Sequence, residues 1–116
     1  MAILELKEQD ILNQIMDYLS RRNVKHVHIR NTGAIFVREG KTRFGRPKFH
    51  QKGAPDIMGC FNGRAFAIEV KSASGRVSDE QIAWLKGWED AGGYFVVSRN
   101  LEQVVHFIDS LDIMKQ

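Results

Sequence analysis

The amino-acid sequence predicts a single α/β domain, and three observations support this fold class. The 116 residues match the length of one domain and are enough to bury one compact core. Hydrophobic residues make up 43% of the chain and charged residues 27%, which is typical of a globular protein and excludes a disordered one. Helix-like and strand-like periodicities follow one another in the order α-β-β-β-β-α-β-α, and no linker or repeat divides residues 1–116.

The first elements are predicted from hydrophobic spacing. Residues 6–22 predict a helix, because apolar residues recur at three- and four-residue steps and form one stripe of Ile11, Leu12, Ile15, Met16 and Leu19. Glu8 extends this stripe towards the N-terminus, where a carboxylate also interacts favourably with the helix dipole. Residues 24–30 alternate between polar and apolar side chains and predict a strand, and residues 34–38 predict a second, short strand or a continuation of the first.

Positive charge is concentrated in one third of the chain. Residues 21–52 contain ten Lys or Arg and one acid, a net +9, whereas the other 84 residues contain seven Lys or Arg and thirteen acids, a net −6. Residues 39–53 predict a long loop in which Phe44 and Phe49 lie among the cations. Cations that bind phosphates beside rings that stack on bases favour a nucleic-acid partner. A solvated basic loop, with both phenylalanines packed on the core, is the alternative.

A β-hairpin is predicted over residues 56–71. Asn62-Gly63 is a strong signal for a two-residue type I′ turn, because both of its positions need a positive φ. Such a turn pairs Phe61 with Arg64 and fixes the register of the strands that flank it.

This register brings two carboxylates together. Asp56 falls opposite Glu69, and period-two alternation puts Lys71 on the same face of the hairpin. Two facing carboxylates are destabilising unless a cation lies between them. Lys71 could supply that charge alone, as a simple ion pair, or a hard divalent cation could be bound by the carboxylate oxygens.

The C-terminal third predicts a helix, a strand and a second helix. Ser78 and Gln81 have the spacing of a capping box for a helix that ends near Ala91 at Gly92-Gly93. Residues 94–98 form an apolar strand, and Asn100 is placed to cap a helix that ends near residue 111.

Taken in order, these motifs resemble the PD-(D/E)xK nuclease superfamily and, most closely, its virus-type replication-repair nuclease (VRR-NUC) domain of the freestanding phage or bacterial type. The resemblance covers about residues 5–108, and its motifs are specific as an ordered set rather than singly. They are Lys7-Glu8-Gln9-Asp10-Ile11 for the acid of the first helix, Arg30-Asn31-Thr32-Gly33, Gly53-Ala54-Pro55-Asp56, Glu69-Val70-Lys71 and Gln81. Either Glu5 or Glu8 could be the helix acid, and Glu8 fits the spacing better.

The resemblance implies a restriction-endonuclease-like core, with a small mixed sheet flanked by helices, and a divalent-metal-dependent endodeoxyribonuclease. Its products would carry a 5′-phosphate and a 3′-hydroxyl. Mg²⁺ or Mn²⁺ would be bound by Asp56, Glu69 and the backbone carbonyl of Val70, and Glu8 would bind through a water or a second metal. Lys71 would orient the attacking water or stabilise developing charge. Gln81 would help to place Lys71 or a phosphate, in addition to any capping role.

The freestanding type also implies branched DNA, such as a four-way (Holliday) junction, as substrate of a homodimer. General or flap-directed DNA cleavage, RNA cleavage and a catalytically silent DNA-binding module remain alternatives. The residues expected to contact phosphates are Arg30, Lys41, Arg43, Arg46, Lys48, Lys52 and Arg76.

Other classes of protein are not favoured. No run of about 18 apolar residues predicts a membrane span, and the acids within residues 1–10 argue against a signal peptide. The single Cys60 predicts no disulfide framework, so a reducing, cytoplasmic location is expected, and the resemblance implies a bacterial or phage protein. Gly40-Lys41-Thr42 looks like the end of a nucleotide-binding P-loop, but Ile35 stands where the first glycine is needed, so no nucleotide cofactor is expected.

Overall fold

A four-stranded mixed sheet forms the centre of the protein in a computed structural model, which describes residues 5–29, 34–38, 41–45 and 52–114. The elements in chain order are α1 (Glu8–Arg21), β1 (Lys25–His28), β2 (Ala34–Arg38), β3 (Lys41–Gly45), β4 (Ile57–Phe61), β5 (Arg64–Val70), α2 (Asp79–Asp90), β6 (Tyr94–Ser98) and α3 (Leu101–Ile113).

The central sheet has the strand order β1-β4-β5-β6. Strands β1 and β5 run antiparallel to β4 on either side of it, and β6 runs parallel to β5. The parallel pair needs a crossover connection, which α2 provides. The prediction of an α/β domain is therefore confirmed at the level of a mixed sheet with three helices.

The long loop predicted over residues 39–53 is wrong in part, because it contains the strand β3. Strand β3 pairs antiparallel with β2 in a separate two-stranded sheet, with Arg38 opposite Lys41 and Phe36 opposite Arg43. Only Glu39 and Gly40 separate these strands, and a glycine in so short a connection is a hairpin signal. The cations of β3 obscured its strand pattern, and the element order becomes α-β-β-β-β-β-α-β-α.

The hairpin register predicted from Asn62-Gly63 is confirmed between the turn and the Ile57–Ile68 pair, but it does not extend to the predicted Asp56–Glu69 pair, because the Asp56 amide also donates to the Ile68 carbonyl. Asn62 has φ 53° and Gly63 has φ 75°, as a type I′ turn requires. Phe61 lies opposite Arg64, and the pairing continues without a bulge to Ile57 opposite Ile68.

One face of the sheet is covered by α1 and α3 and holds the hydrophobic core. The fully or nearly buried residues of this core include Ile11, Ile15, Leu19, Ile57, Phe66, Ile68, Val70, Val104, Ile108 and Leu111. The Phe66 ring lies over Gly59, where an added Cβ would lie 2.5 Å from that ring, and it packs edge-to-face with Phe107. Only glycine can therefore occupy position 59 without displacing Phe66.

Helix α2 lies on the opposite face of the sheet and begins and ends where the sequence predicts. Its capping box is complete: the Ser78 hydroxyl accepts from the Gln81 amide, and the Gln81 side chain accepts from the Ser78 amide. Asn100 caps α3 in the same way, by accepting from the Gln103 amide. Within the described ranges, none of the helices is long and apolar enough to cross a membrane.

Candidate active site

The candidate site lies where β4 begins and β5 ends. Asp56 directly precedes β4, and its backbone extends the sheet on both sides, since its amide donates to the Ile68 carbonyl at 3.1 Å and its carbonyl accepts from the Ile29 amide at 2.7 Å. The Asp56 carboxylate accepts from the Val70 amide at 2.7 Å. Asp56 is thus held beside the last residues of β5 by a local departure from the hairpin register, since the Asp56 amide and the Asp56 side chain bond to Ile68 and Val70 in place of a regular pairing with Glu69.

Glu69 is the buried acid of the site. Its side chain is 2% exposed, and its Oε1 accepts from the Gln81 Nε2 at 2.8 Å and lies 3.7 Å from the Lys71 Nζ. Its Oε2 is buried and has no hydrogen-bond donor among the described residues, although the neighbouring Asp56 carboxyl can share a proton with Glu69. A buried carboxylate oxygen without a partner is costly, so this atom marks the place where a ligand would be favoured.

The environment of Glu69 raises its pKa to about 8. Burial is the largest cause, because desolvation disfavours the charged carboxylate. The charge of Asp56 and a hydrogen bond with its side chain also raise the pKa, with a smaller contribution from the charge of Glu8, whereas Lys71 lowers it. The local excess of negative charge would therefore bind either a proton or an added cation.

Gln81 joins the cap of α2 to this carboxylate. Its Oε1 accepts from the Ser78 amide at 2.9 Å while its Nε2 donates to Glu69. The sequence predicts that Gln81 caps α2, and the resemblance implies that it helps to place Lys71 or a phosphate. The structure adds a hydrogen bond to Glu69, which holds the Glu69 side chain in one orientation.

Gly53 allows the segment before Asp56 to pack against the start of α2. Its φ is +81°, and an added Cβ would lie 2.2 Å from the Glu80 carbonyl oxygen and 2.7 Å from the Gln81 amide nitrogen. A side chain here would push the segment away from the helix. Pro55, which lies between Gly53 and Asp56 in the chain, is fully buried. Gly53 therefore keeps the element that carries Asp56 in register with the helix that carries Gln81.

Lys71 continues β5 beyond its last paired residue. Its amide donates to the Ser98 carbonyl at 2.9 Å, and its side chain is 12% exposed. The ammonium is therefore held at the edge of the acid pair, where it still reaches solvent.

The two candidates for the helix acid lie in different surroundings. Glu8 is the first residue of α1, is exposed, and lies close enough for its charge to raise the pKa of Glu69. Glu5 instead accepts from the amide and hydroxyl of Ser74, at 3.2 and 3.1 Å. Of the two, Glu8 is the acid that interacts with the carboxylate pair.

The residues expected to bind phosphate are only partly described. Lys52 and Arg76 are exposed, and Arg76 lies five residues beyond Lys71. Lys41 and Arg43 lie in β3. The remaining three, Arg30, Arg46 and Lys48, lie outside the described residues.

Sequence reasoning missed Arg99, which lies just beyond β6. Its Nη1 donates to the carbonyls of Ser72, Ala73 and Gly75 at 2.7, 3.3 and 2.7 Å, so it holds the connection that follows Lys71. No local pattern marks this contact, because 24 to 27 residues separate the partners.

The carboxylates of the site are suitable ligands for a hard cation, although there are few of them. Within the part of the chain that the structure describes, no group of three or more His, Cys, Asp or Glu side chains is arranged as a metal site. The acids Asp56 and Glu69, the partnerless Oε2 and the neighbouring carbonyl of Val70 offer the oxygen ligands that Mg²⁺ and Mn²⁺ prefer. A shallow cleft of about 620 Å³ lies near the other end of β5, beside Arg64, Trp88 and Tyr94, and includes none of these acids.

Comparison of the chain with family models, with curated proteins and with solved structures gave no match. Function is therefore inferred from the side chains themselves.

Proposed function

We propose that this protein is a divalent-metal-dependent endodeoxyribonuclease. The observation that carries the proposal is the buried Glu69, which lies beside Asp56, contacts Lys71 and Gln81, and has one oxygen without a hydrogen-bond donor among the described residues. A structural ion pair would satisfy both oxygens of a buried carboxylate. The arrangement also agrees with the resemblance of the ordered motifs to the VRR-NUC domain of PD-(D/E)xK nucleases.

The metal ligands would be Asp56, Glu69 and the carbonyl of Val70, with Glu8 acting through water. When bound, Mg²⁺ or Mn²⁺ would supply a bound water of lowered pKa and positive charge at the phosphate. Gln81 donates to Oε1 of Glu69, so the partnerless Oε2 is the oxygen left for the cation. The Val70 amide holds Asp56 in a similar way.

Lys71 has the position of a group that acts on the reacting phosphate. Its ammonium has three N–H donors. Its distance of 3.7 Å from the Glu69 carboxylate is longer than a hydrogen bond, so the ion pair does not use these donors. It can donate to an attacking water or to a non-bridging phosphate oxygen, where charge develops during hydrolysis.

DNA is the proposed substrate because of the charge distribution. Residues 21–52 carry a net +9, and Lys52 and Arg76, at exposed positions near the acids in the chain, can bind phosphates on either side of a cleaved bond. Following the resemblance, we propose branched DNA as the preferred substrate and a homodimer as the active form. A two-fold dimer would present two sites for paired cuts.

The decisive experiment compares Asp56→Asn and Lys71→Gln with Asp17→Asn, an exposed acid paired with Arg21 at the far end of α1. Labelled four-way junction, flap, duplex and single-stranded DNA, and a matched RNA, are incubated with Mg²⁺, Mn²⁺ or EDTA. We expect cleavage only with metal, and a loss of about a hundredfold or more in the two site variants but not in Asp17→Asn.

Each alternative has its own outcome in the same assay. Unchanged cleavage by Asp56→Asn would contradict the proposed site, and DNA binding without cleavage would indicate a silent binding module. Equal cleavage of all DNA forms would remove the preference for branches, and preferential cleavage of RNA would change the substrate class. Sedimentation equilibrium of the free protein and of its DNA complex tests the homodimer.

A further inference from the structure

Residues 72–76, which we name the 72–76 loop, connect β5 to α2 and have an unusual backbone arrangement. Three of their carbonyls, from Ser72, Ala73 and Gly75, converge on the Arg99 guanidinium. In a trans peptide the carbonyl and the following amide point in opposite directions. The amides of Ala73, Ser74 and Arg76 are therefore directed away from Arg99, towards the outer side of the loop.

An anionic oxygen already occupies this outer side. Glu5 Oε1 accepts from both the Ser74 amide, at 3.2 Å, and the Ser74 hydroxyl, at 3.1 Å. Both Glu5 and Ser74 are exposed. Outward backbone amides form anion-binding concavities in proteins, and a carboxylate oxygen makes the same hydrogen bonds as a phosphate oxygen.

The loop also lies against the candidate active site. An added Cβ at Gly75 would lie 3.2 Å from the Ser72 hydroxyl oxygen and 3.5 Å from Cδ of Lys71, so the loop folds back onto the Lys71 side chain. The next residue, Arg76, is exposed, and no carboxylate of the described residues forms an ion pair with it. An exposed cation two residues beyond Ser74 is therefore available in the same loop.

We infer that the 72–76 loop is a second phosphate subsite and that Glu5 occupies it in the free protein as an internal competitor. The ligand is the DNA phosphate that neighbours the cleaved one. The amide and hydroxyl of Ser74 and the side chain of Arg76 bind its oxygens. This inference rests on the proposed nuclease function for the source of the phosphate. The anion site itself rests on the contacts of Glu5, Ser74 and Arg99.

Glu5 and a phosphate cannot bind the loop together, because they need the same donors and repel each other. Glu5 lies before α1. Of the contacts that the structure gives, only those with Ser74 hold its side chain. Removing its carboxylate therefore frees the site without touching the core. The matched control is Glu89→Ala, which removes another exposed carboxylate, in the last turn of α2.

The first test uses inorganic phosphate as the probe and is independent of nuclease activity. Amide chemical shifts are followed by NMR during a phosphate titration of the wild type, Glu5→Ala and Glu89→Ala. We expect saturable shifts of Ser74, Gly75 and Arg76 in Glu5→Ala, at about fivefold lower phosphate concentration than in the wild type or Glu89→Ala. No saturable shift in Glu5→Ala, or the same midpoint in all three proteins, overturns the inference.

The second test identifies the source of the phosphate. The Kd for labelled DNA is measured by anisotropy in EDTA, so that nothing is cleaved. We expect Glu5→Ala to bind DNA about fivefold more tightly than Glu89→Ala. We expect this gain to be smaller in Glu5→Ala/Arg76→Gln, and both results would support a DNA phosphate as the ligand. Equal Kd values in the two single variants overturn the DNA subsite. If no protein in the set binds DNA while the phosphate shifts persist, the nuclease proposal fails and the loop is a site for free phosphate.

Discussion

The two faces of β5 differ in what they contribute to the protein. Phe66, Ile68 and Val70 point into the core beneath α1 and α3, and all three are 0% exposed. Glu69, on the other face, is almost as deeply buried but is a carboxyl with a partnerless oxygen. Burial of apolar surface stabilises the fold, whereas burial of a polar atom without a partner costs free energy. One strand thus combines a face that maintains the structure with a face that lowers its stability at the candidate site.

The largest change in stability is expected on the apolar face. Ile68→Ala removes a fully buried side chain at the centre of the core, so the free energy of unfolding should fall by about 2–5 kcal/mol. Urea denaturation measures the change. Ile82→Ala is the control, because Ile82 is 55% exposed and should change stability by less than about 1 kcal/mol. A loss in Ile68→Ala no larger than in this control would contradict the assignment of the core face.

The second prediction concerns the polar face and pH. The folded pKa of Glu69, about 8, is higher than its ordinary value of 4.5. Between these values the folded state holds a proton that the unfolded state has released, so stability in EDTA should decrease as pH rises from about 4.5 to 8. The slope from this one proton is at most about 1.4 kcal/mol per pH unit.

Glu69→Gln provides the comparison, because a neutral amide cannot titrate. The difference in unfolding free energy between wild type and variant should therefore move in favour of the variant as pH rises, and parallel curves would contradict the raised pKa. Mg²⁺ added at pH 8 should raise the Tm of the wild type but not of Glu69→Gln, since bound metal stabilises the folded state. An equal rise in both proteins would place metal binding elsewhere.

The smallest expected effect tests the cap that supports Glu69. Ser78→Ala removes the hydroxyl that accepts from the Gln81 amide, and should lower the free energy of unfolding by about 1 kcal/mol. Asn100→Ala removes the equivalent cap of α3 and is the matched control for stability. If Gln81 links the cap to the site, only Ser78→Ala should also reduce cleavage. An equal reduction in Asn100→Ala would mean that lost stability alone explains it.

Short-range patterns predicted most of the fold. The Asn62-Gly63 turn determines the hairpin register because its two positive φ values allow one connection geometry. The two caps were predictable because a side chain and an amide three residues away are always close at a helix start. The strand β3 was missed because its cations resembled a loop, although Glu39-Gly40 carried the local hairpin signal.

The sequence predicted only those contacts of the candidate site that depend on neighbouring backbone. By itself, the sequence determined that Asp56 lies near Glu69, since the turn register is a property of neighbouring backbone, whereas the backbone contacts of Asp56 with Ile68 were not predicted. The tertiary structure decided the rest: Gln81 on Glu69, Arg99 beneath the 72–76 loop, and Glu5 on Ser74, 69 residues away. Such contacts depend on how helices and sheet pack as a whole, and a polar side chain that bonds a distant backbone group follows no periodic pattern along the chain.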